Sequence, residues 1–324
     1  MKHIMIVNPA AGPKNALDTI RSEVKRYPDY DIEIYQTQGK GDATAYVRAY
    51  MEAHPDEEVR FYACGGDGTL GEVASGVYGF ENAALSAYPC GSGNDFVKYY
   101  GGASAFLDLG ALLEGEERRI DMLTDGERFS INVANFGFDY FVCEKMEKLR
   151  RKKGFGGRRA YYGGIVHALF HAMKNRAVVF ADGKRIGGEK IGGDKLLLCT
   201  VANGDYIGGS FRCAPFSDNE DGLLEVCYVK SVSVLKFIRL IGKYKRGEHL
   251  ADEKMRKILT YVRATEVKVE SPDERFGYCL DGEMIRSGDF TLRVVPRAVR
   301  FVIPRAALAS VRGESKGAES SSAI

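Results

Sequence analysis

The 324-residue chain has no long apolar run. No stretch approaches the roughly 18 residues a membrane-crossing helix needs, which sets aside that mode of insertion. It has no excess of either charge: 46 Lys and Arg stand against 44 Asp and Glu, a formal net charge of +2. Bulk attraction to a polyanion is thereby excluded, and any basic patch has to be local. CxxC spacing is absent, and the seven cysteines are odd in number. Several lie inside apolar runs, as in Leu196-Leu197-Leu198-Cys199 and Val226-Cys227-Tyr228. They read as buried free thiols in a reducing compartment, not as a disulfide framework or a zinc site. No internal repeat is evident. Residues 1–8 enter a strand directly, without the apolar core and cleavage site of a secretory leader. A cytoplasmic protein is expected, with any membrane contact peripheral.

What the chain does have is alternation. Ile4–Val7, Asp31–Tyr35, Val59–Ala63 and Ala83–Tyr88 read as strands. Helical spacing fills residues 14–27, 42–53 and 69–77 between them. Strands alternating with helices predict a mostly parallel sheet with helices on both faces, ligands binding beyond the carboxyl ends of its strands. Near residue 120 the pattern changes. Phe129–Ala134, Ala177–Ala181, Lys195–Ala202, Leu223–Val229, Glu266–Glu270 and Phe290–Val295 read as strands separated by turns such as Asp221-Gly222 and Asp281-Gly282. That pattern predicts an antiparallel β-sandwich, interrupted by helical segments at 139–175 and 231–247. The expected division is 1–125, 126–295, a segment 296–310 returning to the first domain, and a small, polar, disordered tail at 311–324.

Chemistry concentrates at glycine turns. Cys64-Gly65-Gly66-Asp67-Gly68-Thr69-Leu70 follows a strand and opens a helix. Glycine lets backbone N–H groups approach phosphate oxygens, and Asp67 stands where a phosphate-bound metal ion would sit. A bare β–α turn needs neither Asp67 nor Thr69. Asn8-Pro9-Ala10-Ala11-Gly12 closes the first strand and is weaker evidence, because any strand-to-helix turn can look so. Pro89-Cys90-Gly91-Ser92-Gly93-Asn94-Asp95-Phe96 closes the fourth, with Asn94 or Asp95 also able to cap the next helix. Gly137-Phe138-Asp139 is a further polar break. Leu280-Asp281-Gly282-Glu283 fits a hairpin turn, and Glu283 acquires interest as a general base if the fold carries it to the first domain. His167 and His171, four apart, lack a third ligand and read as packing or surface residues.

Together these motifs resemble the diacylglycerol kinase catalytic family, over roughly residues 3–304. Its bacterial diacylglycerol and phosphatidylglycerol kinase-like members are closest in length, and sphingosine and ceramide kinases share the core. The glycine–Asp–glycine–Thr motif is shared with NAD kinases and loosely with phosphofructokinases. The resemblance implies an NAD kinase/phosphofructokinase-like α/β domain plus a β-sandwich, with ATP in the cleft between them. Asn8, Pro9, Ala10, Ala11 and Gly12 would line the nucleotide, with Thr37 and Ser92 touching it. Gly65, Gly66, Asp67, Gly68, Thr69, Leu70, Gly71 and Glu72 would hold its phosphates. Asp67 would organise Mg²⁺, Asp95 would support it, and Glu283 would be the proton acceptor. A second, structural metal site would use Asp218, Asp221 and Leu223. Two positions depart from the family pattern: Ser92 replaces a usual threonine, and Gly71 stands where asparagine is common.

The implied activity is ATP- and Mg²⁺-dependent phosphorylation of a diacylglycerol-like lipid hydroxyl. The alternatives are a sphingoid-base or other lipid kinase of the same fold, an NAD kinase-like enzyme, or a nucleotide-binding regulator without catalysis. Lys145, Lys148, Arg150, Arg151, Lys152, Lys153, Arg158 and Arg159, followed by Tyr161, Tyr162 and the apolar 165–170, suit an anionic membrane surface. A solvated loop and core helix would read the same. Expected partners are a lipid at the inner face of the membrane and no nucleic acid, since no recognition fold is present. A homodimer is left open.

Overall fold

A computed structural model describes residues 1–12, 15–150, 157–189 and 193–308. Its first part alternates as the sequence predicts: β1 (Lys2–Val7), α1 (Ala16–Val24), β2 (Ile32–Gln36), α2 (Asp42–Ala53), β3 (Val59–Gly65), α3 (Asp67–Val77) and β4 (Ala83–Pro89). The strands pair in parallel in the order β2–β1–β3–β4. β1, β3 and β4 are buried along nearly their whole length, because helices cover both faces of the sheet. Ala43, Val47 and Met51, four residues apart on α2, turn one stripe into that core. All four carboxyl ends point to one edge, and the glycine turns follow β1, β3 and β4 there.

The second part is a β-sandwich-like unit. Its backbone of pairing runs from Glu266–Glu270 through Asn175–Ala181, Asp194–Ala202, Val133–Gly137 and Gly277–Leu280 to Glu283–Arg286. Leu224–Lys230 pairs with Asp194–Ala202 and with Leu259–Ala264. One face packs inward around Phe136, Val179, Leu196, Val226 and Leu292. The other face carries the helices Phe138–Arg150, Gly157–His171 and Val234–Lys245 over Leu197, Leu198, Cys227 and Val229.

One strand belongs to both parts. Asp289–Ile303 pairs antiparallel with Glu266–Glu270 and with Glu116–Thr124, then parallel with β4 at Arg300 and Phe301. The sequence reading stopped it at Val295. The register shifts between Val295 and Val299, where Pro296 cannot donate and Arg297 takes a positive φ, and the strand resumes beyond. Two further readings change. The helix expected at 139–175 is two helices, and the strand expected at Phe129–Ala134 splits into Phe129–Ser130 and Val133–Gly137. The split has a cause: Ile131 and Val133 N–H donate to the Asp281 carboxylate, at 2.9 and 3.0 Å. The tail expected at 311–324 lies outside the described residues. All seven cysteines are free thiols, and no described helix is long and apolar enough to cross a membrane.

Candidate active site

The three glycine turns meet at the carboxyl edge of the sheet. Cys90 and Gly91 N–H both donate to Gly65 O, at 2.8 and 3.1 Å, tying the β4 turn to the β3 turn. The contact is backbone on backbone: a Cβ on Gly91 would lie 2.5 Å from Gly66 Cα. Gly12, at φ +79°, packs on the same turn, its Cβ position 2.5 Å from Cys90 O. Asn8 joins the first two turns, its Nδ2 donating to Thr69 Oγ1 at 3.0 Å while its Oδ1 accepts from Ala10 N–H. Thr69 is thus a brace between turns as well as a helix residue. Gly91→Ala should therefore lower the thermal midpoint by an amount worth about 1–3 kcal/mol, since backbone must move to admit the methyl. Gly68→Ala, with nothing within 4 Å of the new carbon, should leave the midpoint unchanged or raise it. Thermal melts of the two variants check the pair.

Asp67 opens α3 at the centre of these turns. Phe96 N–H donates to its Oδ1 at 3.1 Å. Burial first, then the neighbouring Asp95 charge, and more weakly that of Asp281, push its pKa up to about 6. Asp95 is buried but well served. Lys98 pairs with it, and Gly209 N–H donates to both of its oxygens at 3.0 Å. Lys98 also donates to Gly93 O and Gly209 O, each at 2.8 Å, so one ammonium knits the β4 turn to a loop of the second part. Asn94, at φ +48°, donates to Gly91 O, while its Oδ1 is buried without a protein partner beside Gly66 and Gly91. The sequence reading named neither Lys98 nor Gly209. The position of Lys98, three residues after Asp95, was the available signal.

The fold does bring Glu283 to the first part. Asp281 (φ +45°) and Gly282 (φ +87°) make the tight hairpin turn between Gly277–Leu280 and Glu283–Arg286. Asp281 then seats that turn on α3: its carboxylate lies 3.5 Å from where a Gly71 Cβ would stand. A Cβ at 71 would rest in ordinary contact with that carboxylate. From the other side Glu72 Oε1 accepts from Gly41 N–H at 2.9 Å and fixes the Gly39-Lys40-Gly41 loop. Lys40 Nζ on that loop pairs with Glu283 Oε1 at 3.0 Å. The α3 helix thus presents Asp67 at its first residue and positions Glu283 through its second turn.

Other expected residues fall at different distances from this centre. Thr37 is buried at the end of β2, its N–H and hydroxyl both directed to Val7 O. Ser92 and Gly68 are exposed, at the β4 turn and the start of α3. The 218–223 loop is separate. There Asp218 accepts from Glu220 N–H, and Asp221 accepts from Leu223 N–H and pairs with Arg263. Asp121, fully buried, holds the loop by accepting from Gly222 N–H at 2.6 Å and Arg297 N–H at 2.7 Å. Arg263 pairs with Asp221 through Oδ2, and among the described residues no group of three or more His, Cys, Asp or Glu converges on a metal position, here or at Asp67. His167 and His171 stack on each other at 4.2 Å. Of the basic cluster, Arg151, Lys152 and Lys153 lie outside the described residues, as do the side chains of Arg150 and Arg158.

Comparison with known proteins matches this architecture throughout. A model of the diacylglycerol kinase catalytic domain matches residues 2–124. A model of the YegS C-terminal NAD kinase beta sandwich-like domain matches residues 132–303. A diacylglycerol kinase from Bacillus subtilis (strain 168) is 29% identical over 288 residues, covering 86% of this chain and 88% of that one. A protein named "Probable lipid kinase YegS" from Escherichia coli (strain SMS-3-5 / SECEC) is 29% identical over 282 residues, 84% and 86% of the two chains. In fold, the chain superposes on the crystal structure of a diacylglycerol kinase from Bacillus anthracis str. Sterne with a TM-score of 0.67 at 20% identity, over 94% and 98% of the two chains. With both halves matched in order, the chain belongs to the diacylglycerol kinase-like family of lipid kinases.

Proposed function

We propose that this kinase transfers the γ-phosphate of ATP, with Mg²⁺, to the hydroxyl of a diacylglycerol-like lipid. The observation that carries the reading is the meeting of the two parts at the 281–283 hairpin, where Asp281 lies against α3 at Gly71 and Glu283 pairs with Lys40 of the first part. Phosphoryl transfer demands positioning, charge neutralisation and a proton acceptor, and these residues can supply each. In this reading the part spanning 1–125 holds the nucleotide, along Asn8–Gly12, Thr37, Gly65–Glu72 and Ser92, and the part spanning 126–295 holds the lipid. Gly68, open on its outer side at the start of α3, lets a phosphate come close to backbone N–H groups.

The residues around Asp67 fit a divalent cation. A carboxylate whose proton affinity is raised by burial and by a second carboxylate marks excess negative charge, and the orphaned Asn94 Oδ1 is a free acceptor nearby. Asp67 would hold Mg²⁺, while the oxygens of Asp95 are already engaged by Lys98 and by Gly209 N–H. Bound there, Mg²⁺ would offset the charge on the transferring phosphate. Glu283 takes the proton of the lipid hydroxyl as its oxygen bonds to the γ-phosphorus and the bond to ADP breaks. Lys40, exposed and held by one surface-type ion pair, can leave Glu283 at small cost.

The test is transfer of label from radiolabelled ATP into diacylglycerol, phosphatidylglycerol, ceramide and sphingosine in mixed micelles, with NAD as a soluble control. Label in diacylglycerol is expected. Label confined to NAD, or none anywhere despite nucleotide binding, overturns the reading. A pH dependence follows from Asp67. Below about 6 it carries a proton in the metal-free protein and must lose it to hold the cation. At limiting Mg²⁺, kcat/KM should therefore fall as pH drops through this region, and the fall should move to lower pH as Mg²⁺ is raised. A limb indifferent to Mg²⁺ concentration would assign the titration to another group.

A further inference from the structure

The Gly137-Phe138-Asp139 break, which the proposed reaction does not use, opens the helix Phe138–Arg150. That helix lies on the strand Gly277–Leu280, which runs straight into the Asp281–Glu283 hairpin. Tyr278 and Leu280 turn into the sandwich core, so Gly277 and Cys279 face the helix instead. At Gly277 the Tyr140 ring stands 2.7 Å from where a Cβ would be. One step along each element, three residues on the helix and two on the strand, brings Cys143 to Cys279, and the two thiols interact.

The two thiols are unequal. Cys279 is buried, and the Cys143 contact together with that burial holds it well above the usual thiol range. Cys143 is half-buried, so a small solute can reach it. Four residues before Cys143, on the same side of the helix, stands Asp139. Its Oδ2 is buried without a hydrogen-bond partner, and burial pushes its pKa up to about 7. Its charge is felt at Cys279. A carboxyl of this kind is matched to taking a proton from a buried thiol. An accessible thiol, a buried thiol beside it and an unpartnered carboxyl oxygen are the parts of a disulfide-forming centre.

We propose that Cys143 and Cys279 are a thiol switch, closed to a disulfide by a hydroperoxide, that shifts the Asp281–Glu283 hairpin against the first part. Its effect on turnover rests on the proposed reaction; the disulfide itself does not. The Cys143 sulfur attacks the outer oxygen of the hydroperoxide. The O–O bond breaks, an alcohol or water leaves with the thiol proton, and Cys143 becomes a sulfenic acid. The Cys279 sulfur then attacks the Cys143 sulfur. The S–S bond forms and the S–O bond breaks, while Asp139 takes the Cys279 proton and passes it to the departing hydroxide, which leaves as water. Two thiols give up two electrons and one hydroperoxide is reduced. An S–S bond is about 2.05 Å long, far shorter than any contact between two thiols, so closure draws the strand toward the helix two residues before Asp281. Asp281 and Glu283 shift with it relative to Gly71 and Lys40.

The experiment treats the full chain with hydrogen peroxide and maps its thiols by peptide mass. A Cys143–Cys279 cross-linked peptide is expected, and dithiothreitol should reverse it. Lipid phosphorylation should fall at least about tenfold on oxidation and return on reduction, with nucleotide binding retained. Cys143→Ser and Cys279→Ala, each checked by a thermal melt, should keep wild-type turnover before treatment and after it. Asp139→Asn should close the pair at least about tenfold more slowly and let a dimedone-reactive sulfenic acid build up on Cys143, which a merely structural role would not do. Closure at the wild-type rate in Asp139→Asn overturns the part given to that carboxyl. Absence of the cross-linked peptide overturns the whole proposal. So does a loss of turnover in Cys143→Ser as large as in wild type, or a cross-link that leaves turnover intact. Amide hydrogen exchange across Gly277–Arg286 reads the shift without turnover. A cross-link that changes exchange there, in a protein that phosphorylates no lipid even when reduced, would overturn the reaction and leave the switch standing.

Discussion

Replacing Glu283 by glutamine should lower kcat by about 10²–10⁴ with nucleotide affinity and thermal midpoint close to wild type. Glutamine keeps the shape and can still accept a hydrogen bond, but it cannot take up the hydroxyl proton at neutral pH. The structural cost is small because the side chain is 43% exposed and its one ion pair is to Lys40, itself 76% exposed. Such pairs contribute at most about 1 kcal/mol. Single-turnover transfer and a thermal melt on the same preparation separate the two effects. Undiminished transfer would remove Glu283 from the reaction and send the search for a proton acceptor back to Asp67 and Asp281.

Asp67→Asn should abolish transfer and at the same time stabilise the unliganded protein. The folded state raises this carboxyl from 3.8 to about 6, so it binds a proton more tightly than the unfolded chain does. Ionised Asp67 therefore penalises the fold above pH 6. The penalty fades as pH falls from about 6 towards 3.8 and is absent below. Each tenfold in proton affinity corresponds to about 1.4 kcal/mol, so the amide should gain up to about 3 kcal/mol at neutral pH and nothing in acid. Unfolding curves at pH 7 and pH 4 test the sign. Mg²⁺ with nucleotide should raise the midpoint of wild type and not of the variant. A variant less stable than wild type at pH 7 would show that the Phe96 contact outweighs the charge penalty, and would break the link between strain and metal binding.

The first half of this fold was open to reading because its signals are local. Apolar runs such as Ile4–Val7 and Val59–Ala63 end in turns of small residues, Asn8–Gly12 and Gly65-Gly66, and helix spacing fills the intervals. The glycine turns could be found for the same reason. What the sequence hid depends on partners distant along the chain. Glu116–Thr124 begins with four charged residues and is a strand because Asp289–Ile303 lies against it. Asp281 looked like a turn residue, and it is one, yet its carboxylate also splits a strand at 131–133 and seats the hairpin on Gly71. Lys40 carries no signal of its own, since a lysine between two glycines reads as a solvated loop until Glu283 arrives opposite it. Tyr162 and the apolar 165–170 were read either as part of a membrane-facing surface or as a core helix, because the sequence does not say which side of a helix meets the sheet; Tyr162, Val166 and Phe170 turn outward.

The shared strand Asp289–Ile303 also constrains the order in which the chain can become structured. Ser86 Oγ donates to Val302 O at 2.7 Å, across 216 residues, and Phe301 packs among Phe96, Tyr100 and Phe106 in the first core. During synthesis the first half must therefore leave the ribosome with one sheet edge open and part of its core unfilled. It can close only after almost the entire second half has been made. Contacts this distant slow folding, and an unpaired edge held open meanwhile is the part most exposed to mispairing with other chains. The arrangement makes the protein all or nothing: the half that is made first is finished last.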